Sequence, residues 1–253
     1  MSGPRQERNL LLTLRFAGTR YCGFQVQANG PSVCAAIQDA LEAVLGHRPE
    51  VKGCSRTDAG VHAEKFCLSL REAGAIPCDK LILALNVHLP DDIAVTACRE
   101  VPPDFHARYS ATGKEYVYRL LNSRIKDPFS PNLTCRLGYT LEAPLLDGQA
   151  GDFIGAHDFA AFQAKGSGVE DTVRTITRFS VVREGELVLF TVRGDGFLYK
   201  MVRIMVGTLI DIGMGKLPPG CIPAIIAGRD RAKAGRTMPG CGLYLNDVYY
   251  RLP

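Results

Sequence analysis

Apolar residues recur along this chain with two rhythms, a period of two and a period near 3.6, and the switches between them mark out its elements. Residues 9–16 (NLLLTLRF) predict a strand, after which Gly18, Gly23 and Gly30 punctuate a loop. Ser32 stands where an N-cap belongs. Val33, Ala36, Ile37, Ala40, Leu41, Val44 and Leu45 then follow at helical spacing, and Gly46 closes the run. Residues 51–54 predict a short strand, and Phe66, Leu68 and Leu70 alternate with other side chains as a further strand should. Residues 80–87 predict a helix and residues 93–101 a strand. The pattern resets around residues 102–113. Residues 114–121 then predict a strand with Tyr116 and Tyr118 on one face, and residues 152–162 a helix. Residues 175–182 and 186–193 predict two strands about the turn Arg183-Glu184-Gly185. Residues 197–212 predict a long helix with Leu198, Met201, Val202, Met205 and Leu209 as its core stripe, and residues 243–250 a closing strand.

Each half of this pattern, residues 1–107 and residues 108–253, mixes strands with one or two principal helices. An α+β protein of two similar domains packed through their sheets is therefore expected. Hydrophobic residues at 46% and charged residues at 22% are ordinary for a globular chain of 253 residues. No apolar run reaches the ~18 residues that span a bilayer. The first nine residues are polar and lack the apolar core of a signal peptide, so a cytoplasmic location is expected, with no membrane partner. The nine cysteines are an odd number with no C-x-x-C pair, and most sit in apolar runs as small hydrophobes. None of the five histidines has another at i+3 or i+4. No metal is expected from either set. Net charge is +4, unevenly spread: 11 Lys+Arg against 12 Asp+Glu in residues 1–107 give −1, and 19 against 14 in residues 108–253 give +5. Backbone binding to RNA needs local positive charge, which this skew permits.

The stretch with the most chemistry is residues 55–63, SRTDAGVHA. Thr57-Asp58-Ala59-Gly60 is good turn chemistry in its own right. The same loop also presents one carboxylate, Asp58, close to Arg56, and such an aspartate can act as a nucleophile or a base. Gly213-Met214-Gly215-Lys216 has the look of a phosphate cradle. It follows a predicted helix, however, where C-cap glycines belong.

Residues 55–63 closely resemble the G/S-R-T-D-x-G-V-H-A motif of the tRNA pseudouridine synthase A family, and six further segments match that family in order. Residues 16–27, FAGTRYCGFQVQ, resemble its Y-D-G-x-x-Y-x-G-W-Q-x-Q opening. Residues 105–111 with Lys114-Glu115-Tyr116 resemble F-x-A-R-x-x-A…Y, and Gly155-Ala156-His157-Asp158-Phe159 with Phe162 resembles G-x-H-D-F-x-x-F. Val173-Arg174-Thr175-Ile176, residues 197–203 (FLYKMVR) and Gly242-Leu243-Tyr244-Leu245 complete the set. The resemblance runs from about residue 9 to residue 250. Phe24 stands where the family has tryptophan, and Ala17 where aspartate is common.

The resemblance implies two ferredoxin-like subdomains sharing a central, mostly antiparallel sheet, with helices on one side and the active-site cleft between the halves. The catalytic aspartate loop would belong to residues 1–107, and the active-site tyrosine and arginine to residues 108–253. It implies isomerisation of uridine to pseudouridine at positions 38, 39 and 40 of the tRNA anticodon stem-loop, by a homodimer that needs no cofactor and no metal. Asp58 is then the catalytic carboxylate. Attack on the sugar, attack on the base and a glycal route all remain open to it. Arg203 is the arginine that pairs with it, and Tyr116 the tyrosine that stacks on the target base and helps remove the C5 proton. Leu243 lines the apolar side of the base site. Arg56, whose planar fork suits phosphate, is placed to hold the flipped nucleotide's backbone or fill its gap. Lys165 and Arg174 are candidates for tracking phosphates. Plainer readings stand beside these: Arg203 as a solvated helix face, Tyr116 as sheet core, Lys165 and Arg174 as solubility charges. Two rival functions also stand, a non-catalytic RNA binder on the same scaffold and an enzyme using Cys54 near His62 as nucleophile.

Overall fold

A computed structural model describes residues 7–28, 30–74 and 76–251. The chain divides into two compact units, Met1–Thr112 with Leu245–Pro253, and Gly113–Tyr244. Both are α+β with mostly antiparallel strands.

The first unit holds β1 (Arg8–Phe16), α1 (Val33–Leu45), β2 (Val51–Gly53), β3 (His62–Glu72), α2 (Cys78–His88) and β4 (Ile93–Val101). β1 lies between β3 and β4, antiparallel to both, and β2 pairs with β3 at residues 68–70. The near-continuous run in β1 has a packing cause: Leu10, Leu11, Leu12 and Leu14 are all buried, so both faces of this central strand are covered. α1 starts as its sequence predicts. Ser32 accepts a hydrogen bond from Ala35 N at 3.2 Å, and Gly46 ends the helix in the left-handed conformation with φ 77°. α1 packs on α2, and α2 packs on β4. The last strand, β10 (Leu243–Tyr250), brings its residues from Leu245 onward back to this unit beside β3, where Lys65 and Asp247 pair at 2.6 Å.

The second unit holds β5 (Ala111–Leu121), β6 (Cys135–Arg136), α3 (Ala143–Ala150), β7 (Gly155–Asp158), β8 (Val173–Glu184), β9 (Leu187–Gly194), α4 (Met201–Gly213) and α5 (Ile222–Gly228). Its strand order is β5-β9-β8-β7, all antiparallel, with β6 parallel to the end of β5. α4 is buried almost all round, as a core helix should be.

Two sequence expectations need correcting here. Residues 152–162 do not form a helix. They make a 3-10 turn (Gly151–Phe153), strand β7 and a second 3-10 turn (Ala160–Phe162). Gly155 at φ 122° breaks any helical run, and Asp158 accepts hydrogen bonds from Ala160 N at 3.0 Å and Thr172 Oγ1 at 2.6 Å. Nor does the long helix begin at residue 197. Lys200 takes φ 58°, so α4 starts at Met201 and Leu198 lies in the preceding turn, still buried.

Candidate active site

In the first unit the Asp58 segment joins β2 to β3, and its shape is set by contacts with the loop after β1. Val61 N donates to Asp58 O at 3.2 Å, closing a turn about Ala59 and Gly60, and Gly60 takes φ 73°. Gly60 N donates to Tyr21 O at 3.2 Å, and Phe24 N donates to Thr57 O at 3.2 Å, so both ends of the turn are pinned to residues 21–24. These approaches need glycine. A Cβ on Gly18 would lie 1.9 Å from Val61 O, and one on Gly23, at φ 108°, would lie 2.3 Å from Thr57 O. Thr57, Val61 and His62 are buried, Asp58 is half-buried and Arg56 is exposed. The turn thus rests on buried Thr57 and Val61, with Asp58 half-buried and Ala59 exposed between them.

Neighbouring groups brace this arrangement. Gly18 N donates to His62 Nδ1 at 3.0 Å, which fixes that ring nitrogen as an acceptor. Tyr21 donates its hydroxyl to Asp92 at 2.7 Å, and burial together with this bond pushes the phenol up to about 12. Phe24 stacks on Phe66 with ring centroids 4.3 Å apart and reaches the spot where a Gly53 Cβ would stand. The smaller ring at this position therefore still closes the core beneath the loop. Cys54 is fully buried, and its Sγ accepts a hydrogen bond from Cys67 N at 3.3 Å. A sulfur so enclosed is poorly placed to attack a substrate, which weighs against the cysteine-nucleophile reading.

In the second unit Tyr116 stands on β5 opposite Val192, 7% exposed, with the Phe197 ring edge-on at 5.1 Å. Arg203 is in the first turn of α4, where its Nε donates to Met238 O at 2.6 Å and its own carbonyl accepts from Met238 N at 3.1 Å. Residues 242–244 lie against β5. A Cβ on Gly242 would meet the Tyr118 ring at 2.6 Å, Leu243 is buried, and the Arg119 guanidinium sits 3.7 Å from the Tyr244 ring centre. Lys165 is exposed. Arg174 is half-buried, its Nη1 donating to the carbonyls of Asp171 at 3.1 Å and Val173 at 2.5 Å.

Cysteines far apart in sequence also meet here. The Cys135 and Cys241 thiols hydrogen-bond one another, which pulls Cys135 below the usual thiol range and raises Cys241; Cys241 also donates to Thr134 O at 3.7 Å. Burial pushes the Tyr118 phenol well up, and it donates to Pro239 O at 3.0 Å. Sequence reasoning did not single out Thr208, Asp211 and Arg236, whose hydrogen bonds tie the segment after α5 to the helix that carries Arg203. The signal available for Thr208 and Asp211 was polarity in an otherwise apolar helix, and exposed Arg236, outside any helix, offered none. Among the described residues no group of three or more His, Cys, Asp or Glu side chains is arranged to hold a metal ion.

Comparison with known proteins bears on both units. The pattern described as tRNA pseudouridine synthase matches residues 13–110 and 150–251. A tRNA pseudouridine synthase A of Ruminiclostridium cellulolyticum is 48% identical over 244 residues, 96% of this chain and 100% of its own. That of Acetivibrio thermocellus is 44% identical over 243 residues, with the same shares covered. Among solved structures, a chain of a Cbf5-Nop10-Gar1 complex superposes over 95% of this chain and 58% of its own, with a TM-score of 0.37 and 13% identity. On the sequence matches, this chain belongs to the tRNA pseudouridine synthase family, enzymes that isomerise uridine to pseudouridine in transfer RNA.

Proposed function

We propose that this protein isomerises uridine to pseudouridine at positions 38, 39 and 40 of the tRNA anticodon stem-loop, with Asp58 as its catalytic carboxylate. One observation carries the reading. The Asp58 turn is a fixed presentation device, pinned by Tyr21 and Phe24 and made possible by Gly18 and Gly23, with Asp58 half-buried in it. Fixing a reacting group in this way removes orientational entropy from the barrier.

The reaction breaks the N1–C1′ bond of uridine, turns the freed uracil and joins C5 to C1′; the C5 proton then leaves and N1 takes up a proton. Atoms and electrons balance within the substrate, so its chemistry calls on a carboxylate and a proton acceptor. Tyr116 is assigned to the target base, as the stacking ring and the group that helps remove the C5 proton. Its burial and its edge contact with Phe197 support that role, since a ring so held keeps one orientation. Arg203 is assigned as the cation serving the reacting carboxylate, and Leu243 as an apolar wall for the base. Exposed Arg56 is assigned to the backbone of the flipped nucleotide, and Lys165 with Arg174 to flanking phosphates. The resemblance also supports a homodimer and a cytoplasmic location.

The test is tritium release from tRNA carrying 5-tritiated uridine, with native protein and Asp58→Asn. Loss of release in the variant by at least about a thousand-fold, with tRNA still bound, is the expected result for a group that makes or breaks the reacting bond. Equal release by both proteins removes Asp58 from the mechanism. Tight tRNA binding with no release by either would favour the non-catalytic binder.

A further inference from the structure

We infer that Thr208, Asp211 and Arg236 are positioning residues for Arg203, acting by clamping residues 235–238 onto α4. The inference rests on the role given to Arg203 above. Arg203, Gly207 and Asp211 are spaced four apart on α4 and so share one face, with Thr208 beside them. Segment 235–238 runs along that face. Gly235 N donates to Thr208 Oγ1 at 2.9 Å, and the same hydroxyl donates to Ile204 O at 2.8 Å. Asp211 accepts twice from Arg236, from the backbone N at 3.1 Å and from Nη2 at 2.5 Å. At the far end Met238 makes its two bonds to Arg203.

The fit between helix and segment leaves no slack. A Cβ on Gly207 would stand 1.8 Å from Arg236 O, and one on Gly235 would stand 2.5 Å from Thr208 Cα. Arg231 stiffens the segment from its other side, donating to Ala234 O, Gly235 O and Thr237 Oγ1 at 3.0–3.3 Å. Thr208 and Asp211 are the buried polar side chains of a helix whose other buried residues, Gly207 apart, are apolar. Buried hydrogen-bonding groups add little net stability over well-packed apolar ones, but they specify one register. Here the register fixed is that of Met238 O against Arg203. A bond to Nε sets the plane of the guanidinium fork and so the direction in which both Nη atoms point. A long side chain with four rotatable torsions is thereby held to one orientation.

The experiment measures kcat and KM on tRNA together with thermal stability for Asp211→Asn and Thr208→Val, each alone and in an Arg203→Lys background. Each single variant is expected to lose about ten- to a hundred-fold in kcat with KM changed by no more than about two-fold, as misorientation of a reacting group does. In the Arg203→Lys background, where no Nε is left to orient, the further loss should shrink to about two-fold or less. Should Asp211→Asn not fold, Thr208→Val and Arg236→Lys carry the same comparison. Native kcat in the folded variants, or losses that add fully in the Arg203→Lys background, overturns the positioning role. Native kcat in Arg203→Ala would instead overturn the reading on which it rests.

Discussion

At Gly23 the backbone adopts φ 108° with Thr57 O where a Cβ would go. This position illustrates how the site is legible at the scale of single residues. The sequence shows Gly18 and Gly23 as loop punctuation and as motif glycines but not what they make room for, because those carbonyls, on Val61 and Thr57, lie far downstream. Gly23→Ala is predicted to cost at least about 2 kcal/mol of stability, from backbone strain and the clash together. It should also lower tritium release more than the stability loss explains, since the Asp58 turn must move aside. A urea titration alongside the release assay checks this, and native stability and activity in the Gly23→Ala protein would refute it. Asp58 itself was conspicuous in the sequence, in a motif with no apolar periodicity. Thr208 and Asp211 were not, because a polar residue in an apolar helix reveals its partner only when Gly235 and Arg236 have folded back onto it.

Among the elements, those with local determinants were readable and those held by distant partners were not. α1 carries its own start and stop, and Ser32→Ala is predicted to cost about 1 kcal/mol through loss of the bond to Ala35 N, measurable as a lower denaturation midpoint with an unchanged slope. β4 and β10 match their expected residues, since alternation and the flanking turns define them. Residues 152–162 misled because the buried Phe159 and Phe162 stand three apart, as on a helix, yet Gly155 and the pairing of β7 with β8 decide otherwise. α3 and α5 escaped notice because they are short, eight and seven residues, and each contains glycine. The start of α4 shifted because Lys200 adopts a left-handed conformation that nothing in its own identity announces.

For the molecule as a whole, the C-terminal strand is the decisive feature. Leu245–Tyr250 joins the first unit at the opposite end of the chain, where Leu245 and Val248 are buried, Tyr250 donates to Ala107 O at 2.6 Å and its ring packs on Phe105 at 5.2 Å. Ending the chain after Tyr244 is predicted to strip amide-exchange protection from β3 and β1, because the edge of β3 would lose its partner and two buried side chains worth roughly 2 kcal/mol each. Retained protection across both strands would show the segment to be dispensable. The uneven charge, +5 over residues 108–253, belongs to this scale too and was countable from composition alone.

The order of amino acids was enough for the α+β class, most strands, the boundaries of α1 and the family motif around Asp58, because these rest on periodicity, caps and a dense run of polar motif residues. Folding was needed to settle which glycines admit a neighbouring backbone, which strand completes the first unit and which side chains bind the segment 235–238 to α4. Each of these depends on atoms brought together from far along the chain, and local preference carries no record of such meetings.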